Sequence, residues 1–192
     1  MIINLKNKRI ILASKSPRRT ALMEGLGLDF VSKTKDVNED FPHDMDVFKV
    51  PQYLAEKKAH AFLNELEEMD LLITADTVVI VDGEILNKPA DEKEALDMLK
   101  KLSGNKHQVV TGVCMMDLHK KLLFDDQTEV YFKAMDDEEL GSYIRRCQPF
   151  DKAGAYGVQE WIGYVAVYKI VGSFYNVMGL PVHRIYEALK NW

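Results

Sequence analysis

Ile10-Ile11-Leu12-Ala13-Ser14-Lys15-Ser16-Pro17-Arg18-Arg19 sets the architecture of this chain. Four apolar residues read as a buried strand, and small hydroxyls followed at once by a proline read as the start of a helix. The pattern predicts a strand over Arg9–Ala13, with Ser16 as N-cap and Pro17 as the first helical residue, where its missing N–H costs nothing. Free backbone N–H groups and the positive end of the helix dipole would face the carboxyl end of the strand. With Lys15, Arg18 and Arg19 on the same turn, such a corner suits phosphate or another multivalent anion. An ordinary capped helix with solvated arginines fits the segment equally well.

Working outward, the first helix is expected over 17–26, ending at Gly25 and Gly27, and a second strand over 28–33. The polar, acidic stretch 34–46 reads as a loop. Apolar positions at Tyr53, Leu54, Ala55, Ala59, Phe62, Leu63 and Leu66 keep a three-four spacing and predict a helix over 51–67. Leu71-Leu72-Ile73-Thr74-Ala75 is a short strand of the kind buried on both faces. The segments 77–81 and 84–86 flank Asp82-Gly83, a hairpin signal. Asp91-Glu92-Lys93-Glu94 is a capping box opening a helix to Leu102. Strands are expected over 109–116, 122–132 and 165–171, and helices over 136–146 and 181–189. Helices alternate with strands while hairpins are also present, so the chain is α/β with a mixed sheet. No linker divides it, and residues 1–192 read as a single domain.

Composition narrows the functional classes. An apolar fraction of 47% and a charged fraction of 29% are those of a folded globular chain. Thirty acidic against 25 basic side chains leave a formal charge of −5, which disfavours a dedicated nucleic-acid binder. An anionic ligand must then be held by a local cluster of positive charge. The cysteines Cys114 and Cys147 form no metal-binding spacing and suit free thiols in a reducing compartment. Met1-Ile2-Ile3-Asn4-Leu5-Lys6 is too short and interrupted for a signal peptide, and no run reaches about 18 apolar residues. A cytoplasmic protein with no membrane partner is expected.

Asp76 follows directly on the apolar strand, where an acid at a strand's carboxyl end points into the crevice in which open α/β sheets bind ligands. It is placed to ligate a divalent metal or to accept a proton from water; a turn-forming Asp satisfies the same position. Lys58, Lys88 and Lys152 gain meaning only if they converge, since single lysines are ordinarily solvated. Lys152 opens Lys152-Ala153-Gly154-Ala155-Tyr156-Gly157, whose small residues allow backbone N–H groups near a ligand. His107 suits either catalysis or a structural hydrogen bond. Tyr156 and Trp161 suit either a nucleobase stack or the core. Phosphate-loop, dinucleotide-fold and nucleophile-elbow signatures are absent. The residues alone therefore reach an anion site with one well-placed carboxylate, and no reaction.

Five ordered motifs go further. Leu12-Ala13-Ser14-Lys15-Ser16-Pro17-Arg18-Arg19 is followed by Ala75-Asp76-Thr77-Val78-Val79 and by Asn87-Lys88-Pro89. Leu102-Ser103-Gly104 with His107 and Thr111-Gly112-Val113 comes next, then Asp151-Lys152-Ala153-Gly154-Ala155-Tyr156-Gly157-Val158-Gln159. Together with Asn176-Val177-Met178-Gly179-Leu180-Pro181 they resemble the Maf family of nucleoside triphosphate pyrophosphatases, across essentially the whole chain.

The resemblance implies a Maf/ITPase-like fold, a mixed twisted sheet with flanking helices and an active-site cleft between two lobes. It implies hydrolysis between the α- and β-phosphates of a nucleoside triphosphate, with a divalent metal (Mg²⁺, Mn²⁺ or Co²⁺). Asp76 matches the proton acceptor, and Glu39 with Asp76 the metal positions. Ser14, Arg19, Lys58, Lys88 and Lys152 match polar and basic substrate positions. Arg18, Thr77 and Gln159 match the positions associated with nucleotide choice and resemble the dTTP/UTP branch rather than the 7-methyl-GTP branch. Gln159 suits that branch chemically, because an amide donates and accepts at once. A homodimer is also implied. Two features depart from the family pattern: Glu160-Trp161 stand where glycine and a small residue are usual, and Asn87 where glycine is common. A nucleotide-sensing regulatory protein acting on cell division is the alternative of another class.

Overall fold

The computed structural model describes residues 8–192, so the reading of the first six residues lies outside the described residues. Among the described residues seven strands make one mixed sheet. β1 (Arg9–Ala13) is followed by α1 (Pro17–Glu24), β2 (Phe30–Lys33) and α2 (Val50–His60). Then come β3 (Asp70–Val81), β4 (Glu84–Leu86), α3 (Glu92–Leu102), β5 (Lys106–Met116) and β6 (Lys121–Phe132). The chain closes with α4 (Asp137–Cys147), α5 (Trp161–Val165), β7 (Val167–Val171), α6 (Phe174–Met178) and α7 (Val182–Lys190). The strand order is β2-β1-β3-β5-β6-β7, with β4 paired to β3. β1 is parallel to β2 and β3, while β3–β4 and β6–β7 are antiparallel. The expected mixed α/β sheet is therefore present.

The chain forms two compact units, and β3, β5 and β6 each contribute to both. The first unit comprises residues up to Asp76, Thr111–Asp126 and Gly179–Trp192. Its core is Ile11, Ala13, Ala55, Ala59, Phe62, Leu72, Cys114 and Met116, so the inward face of α2 packs on strand residues. Each fully buried Leu, Ile or Phe of such a set contributes about 1.5–3 kcal/mol relative to exposure. Burial also pushes the Cys114 thiol up to about 12 and leaves it inert. Asp70, fully buried at the start of β3, pairs with Arg9 Nε at 2.7 Å, and this pair holds the Asp70 carboxyl below its ordinary value.

The second unit comprises Thr77–Val110 and Gln127–Met178. Leu99 and Leu102 of α3, Leu140, Tyr143 and Ile144 of α4, and Val79, Val109, Val130 and Phe132 of the strands fill its core. α4 opens on a complete capping box, Asp136 accepting from the Glu139 N–H and Glu139 accepting from the Asp136 N–H. Asn176, fully buried on α6, donates to the Val109 carbonyl at 3.1 Å and to Thr128 Oγ1 at 3.0 Å.

Several expectations need correction. β3 is one unbroken strand rather than two, because Val78–Val81 continue the apolar run beyond Asp76. The helix expected over 51–67 stops at His60: Lys35 Nζ bonds the Ala61 carbonyl at 2.6 Å, buried Phe62 turns inward, and a separate 3-10 turn covers Leu63–Glu65. At α3 only half of the expected box forms, since Asp91 accepts from Glu94 N–H but Glu94 accepts from Ala90 N–H instead. Ser16 occupies the N-cap position of α1 without a side-chain cap; its N–H donates to Ser14 Oγ at 3.1 Å. α5 and α6 were not expected, each being only one turn long.

Candidate active site

Asp76 is the buried carboxylate of the first unit around which the rest can be built. β1 pairs with β3 only as far as Leu12 opposite Ile73, so Asp76 lies beyond the carboxyl end of its parallel neighbour even though its own strand continues. α2 is pinned to that strand by Thr74, whose buried hydroxyl donates to the Ala55 carbonyl at 2.6 Å. Lys58 is one turn further along the helix. Its Nζ is 2.5 Å from Asp76 Oδ1 and 2.7 Å from Glu39 Oε1, so one ammonium joins two carboxylates. Lys58 and Asp76 side chains are 18% and 11% exposed, enough shielding for the pairing to outweigh an ordinary surface ion pair.

Gly112 on β5 explains how close α2 can come. A Cβ there would stand 2.3 Å from the Gln52 nitrogen and the Pro51 carbonyl carbon, so the first turn of α2 rests directly on the strand backbone.

The arginine corner joins the same group. Arg19, partly buried, donates from Nη1 to the Ala75 carbonyl at 2.7 Å and from Nε to the Gly179 carbonyl at 2.8 Å. Burial lowers its guanidinium from the ordinary value, while Asp76 and Glu39 oppose that shift and Arg18 adds to it. Arg19 therefore feels the charges of Asp76, Arg18 and Glu39. The structure thus brings Arg19, Lys58, Glu39 and Asp76 together; Ser14 and Arg18 are partly buried on the adjoining turn.

The remaining candidates belong to the second unit and are described on their own. Thr77 is partly buried beside Asp76 in sequence, and Lys88 is exposed after β4. Lys152 is buried, its Nζ 2.7 Å from Asp151 Oδ1 and 3.1 Å from Glu160 Oε1. Gln159 is partly buried, and its Oε1 is buried without a hydrogen-bond partner. An acceptor left so is costly unless something donates to it. The Gly154 N–H, expected near a ligand, instead donates to the Asn87 carbonyl at 3.1 Å. His107 and Tyr156 are structural: they share a 2.7 Å hydrogen bond deep in the core, and both rings pack edge-on to Phe132. Burial drives the His107 imidazole down to about 3, so it is neutral at physiological pH.

Sequence reasoning from the residues alone missed Glu39, which sits in a loop without periodicity. It also missed Thr74 and Gly112 as the groups that place α2. Gly112, within a β-branched run, carried a signal of close backbone approach.

The family model for Maf-like proteins matches residues 9–192. This chain belongs to the Maf-like protein family. Among its Maf-like relatives, a protein of Porphyromonas gingivalis named dTTP/UTP pyrophosphatase is 51% identical, covering 100% of this chain and 98% of that protein. Relatives of the same name from Bacteroides thetaiotaomicron and Parabacteroides distasonis are 48% and 47% identical over at least 99% of both chains.

Proposed function

We propose that this Maf-like chain is a nucleoside triphosphate pyrophosphatase, hydrolysing dTTP and UTP to the monophosphate and pyrophosphate. What carries the reading is the meeting of Asp76, Glu39, Lys58 and Arg19 in a chain alike from end to end to relatives named for that activity. Hydrolysis of an already anionic triphosphate needs charge neutralisation and alignment more than covalent chemistry, and a cluster of fixed cations supplies both. In this reading Asp76 accepts the proton of the attacking water. Arg19, Lys58, Lys88 and Lys152 bind phosphate oxygens, with Ser14 as a further polar contact. Arg18, Thr77 and Gln159 set the choice of nucleotide, Gln159 facing the base, and residues 1–192 act as a single functional domain.

Glu39 and Asp76 would hold the divalent metal. Among the described residues no three His, Cys, Asp or Glu side chains gather into a cage. Two carboxylates form a hard oxygen donor set, and Mg²⁺ is commonly bound by one or two carboxylates plus substrate phosphates. The donor set therefore fits Mg²⁺ or Mn²⁺, and when bound the metal neutralises phosphate charge and helps align it for attack.

A cytoplasmic location and a homodimer belong to the same proposal. Among the described residues no helix is long and apolar enough to cross a membrane. A panel of canonical and methylated nucleoside triphosphates, assayed for pyrophosphate with Mg²⁺, Mn²⁺ and Co²⁺, tests the reading. Turnover fastest with dTTP and UTP is expected. A preference for 7-methyl-GTP overturns the substrate assignment, and binding without metal-dependent turnover favours a nucleotide sensor instead.

A further inference from the structure

Glu160 and Tyr143 form a polar network that the proposed chemistry leaves unused. The Tyr143 hydroxyl donates to Glu160 Oε2 and accepts the Gly157 N–H at 3.1 Å. Burial, and then the bond to Glu160, push the phenol above its ordinary value, so it stays the donor. Glu160 Oε1 is 3.1 Å from Lys152 Nζ. All of this wraps Gly157, where a Cβ would stand 2.8 Å from Gln159 Nε2 and 2.9 Å from Glu160 Cδ. The Gln159 amide nitrogen and the Glu160 carboxylate therefore border the same small space, the one a side chain at Gly157 would fill. The other end of that amide, Oε1, is the buried acceptor without a partner.

An amide can present either end to a ligand, and its two flips differ little in shape. A neighbouring carboxylate removes the ambiguity, because it attracts the N–H₂ end and repels the oxygen. We infer that Glu160, held in place by Tyr143, fixes the flip of Gln159 so that Oε1 meets the ligand as an acceptor. Set opposite N3 of a pyrimidine, such an acceptor is answered by the imide N–H of uracil and thymine. Cytosine offers a lone pair there and would face an unpaired acceptor. Glu160 and Tyr143 are thus positioning residues for selection of 4-oxo pyrimidines against 4-amino pyrimidines. This rests on Gln159 facing the base, as proposed above.

The test uses the full chain and reads a ratio, kcat/KM for UTP over that for CTP. A general loss of fold or of phosphate binding lowers both values and leaves the ratio standing. Glu160→Gln keeps the shape and an acceptor for Tyr143 but removes the charge; the ratio is expected to fall about tenfold, as one misplaced buried hydrogen bond implies. Tyr143→Phe, which frees the carboxylate, is expected to lower it in the same direction. Gln159→Ala serves as reference. A ratio that collapses in Gln159→Ala but stays at the wild-type value in folded Glu160→Gln overturns the inference and leaves the reading of Gln159 intact. A ratio unchanged in Gln159→Ala overturns both. Should Glu160→Gln fail to fold, Tyr143→Phe decides by the same two outcomes.

Discussion

Replacing Asp76 by Asn separates catalysis from folding more sharply than any other single change here. The side chain keeps its shape and can still accept a hydrogen bond from Lys58, but loses its charge and its capacity to take a proton. The cost to the fold is bounded by the neighbours. Breaking a buried ion pair costs about 3–5 kcal/mol and an exposed pair is worth about 0–1. Lys58 retains Glu39 at 2.7 Å, and Glu39 is 47% exposed, so the ammonium is left neither unpaired nor dry. A loss of about 1–2 kcal/mol follows, and from a typical stability of about 5–15 kcal/mol more than about 99% of the protein stays folded. Loss of a positioned general base lowers turnover by about 10²–10⁴-fold, or about 3–5 kcal/mol of barrier. Pyrophosphate release from dTTP, with urea unfolding of the same sample, reads both quantities. A folded variant that retains more than a tenth of wild-type turnover refutes the assignment of Asp76, as does an activity loss that merely follows the unfolded fraction.

Two further outcomes are expected. His107 titrates at about 3 when folded against 6.5 ordinarily, so below pH 6.5 the unfolded chain takes up a proton that the native chain refuses. Stability is then full above pH 6.5 and falls by up to about 1.4 kcal/mol per pH unit towards pH 3; urea midpoints that stay flat from pH 6.5 to 4.5 contradict this. Gly112→Ala drives a methyl into the backbone of Pro51 and Gln52, which cannot yield as a flexible side chain would. A loss of at least about 1–3 kcal/mol is expected, with reduced kcat/KM as α2 and Lys58 shift; an unchanged melting temperature argues against the close approach.

Legibility followed the reach of the signal. β1 was readable to the residue, since its apolar run is bounded by Arg9 and the Ser-Pro turn, and the Asp82-Gly83 hairpin declared itself by turn chemistry. β3 was misread because Asp76 looked like punctuation; a charged residue interrupts an apolar pattern in sequence, but a backbone already paired on a strand passes through it. The end of α2 depended on Lys35, a partner from the loop after β2 that no local propensity encodes. The site shows the same division. Asp76 and the arginines lie in segments with strong local patterns, so they stand out in the sequence as candidates. The convergence of Lys58 on both Asp76 and Glu39 is a tertiary fact, and Glu39 entered only through family resemblance. Glu160 stood out in sequence merely as an oddity; its bond to Tyr143, some 17 residues away, gives it a task.

Lys58 has one more consequence. Because a single ammonium already engages one oxygen of each carboxylate, a bare divalent ion arriving from solvent would have to compete with it. If Glu39 and Asp76 hold the metal as proposed, an ion escorted by a triphosphate would bring its own ligands, and the phosphate oxygens would offer the displaced ammonium a new home. Metal and nucleotide would then enter as one species, with the lysine as caretaker of the two carboxylates in the absence of both.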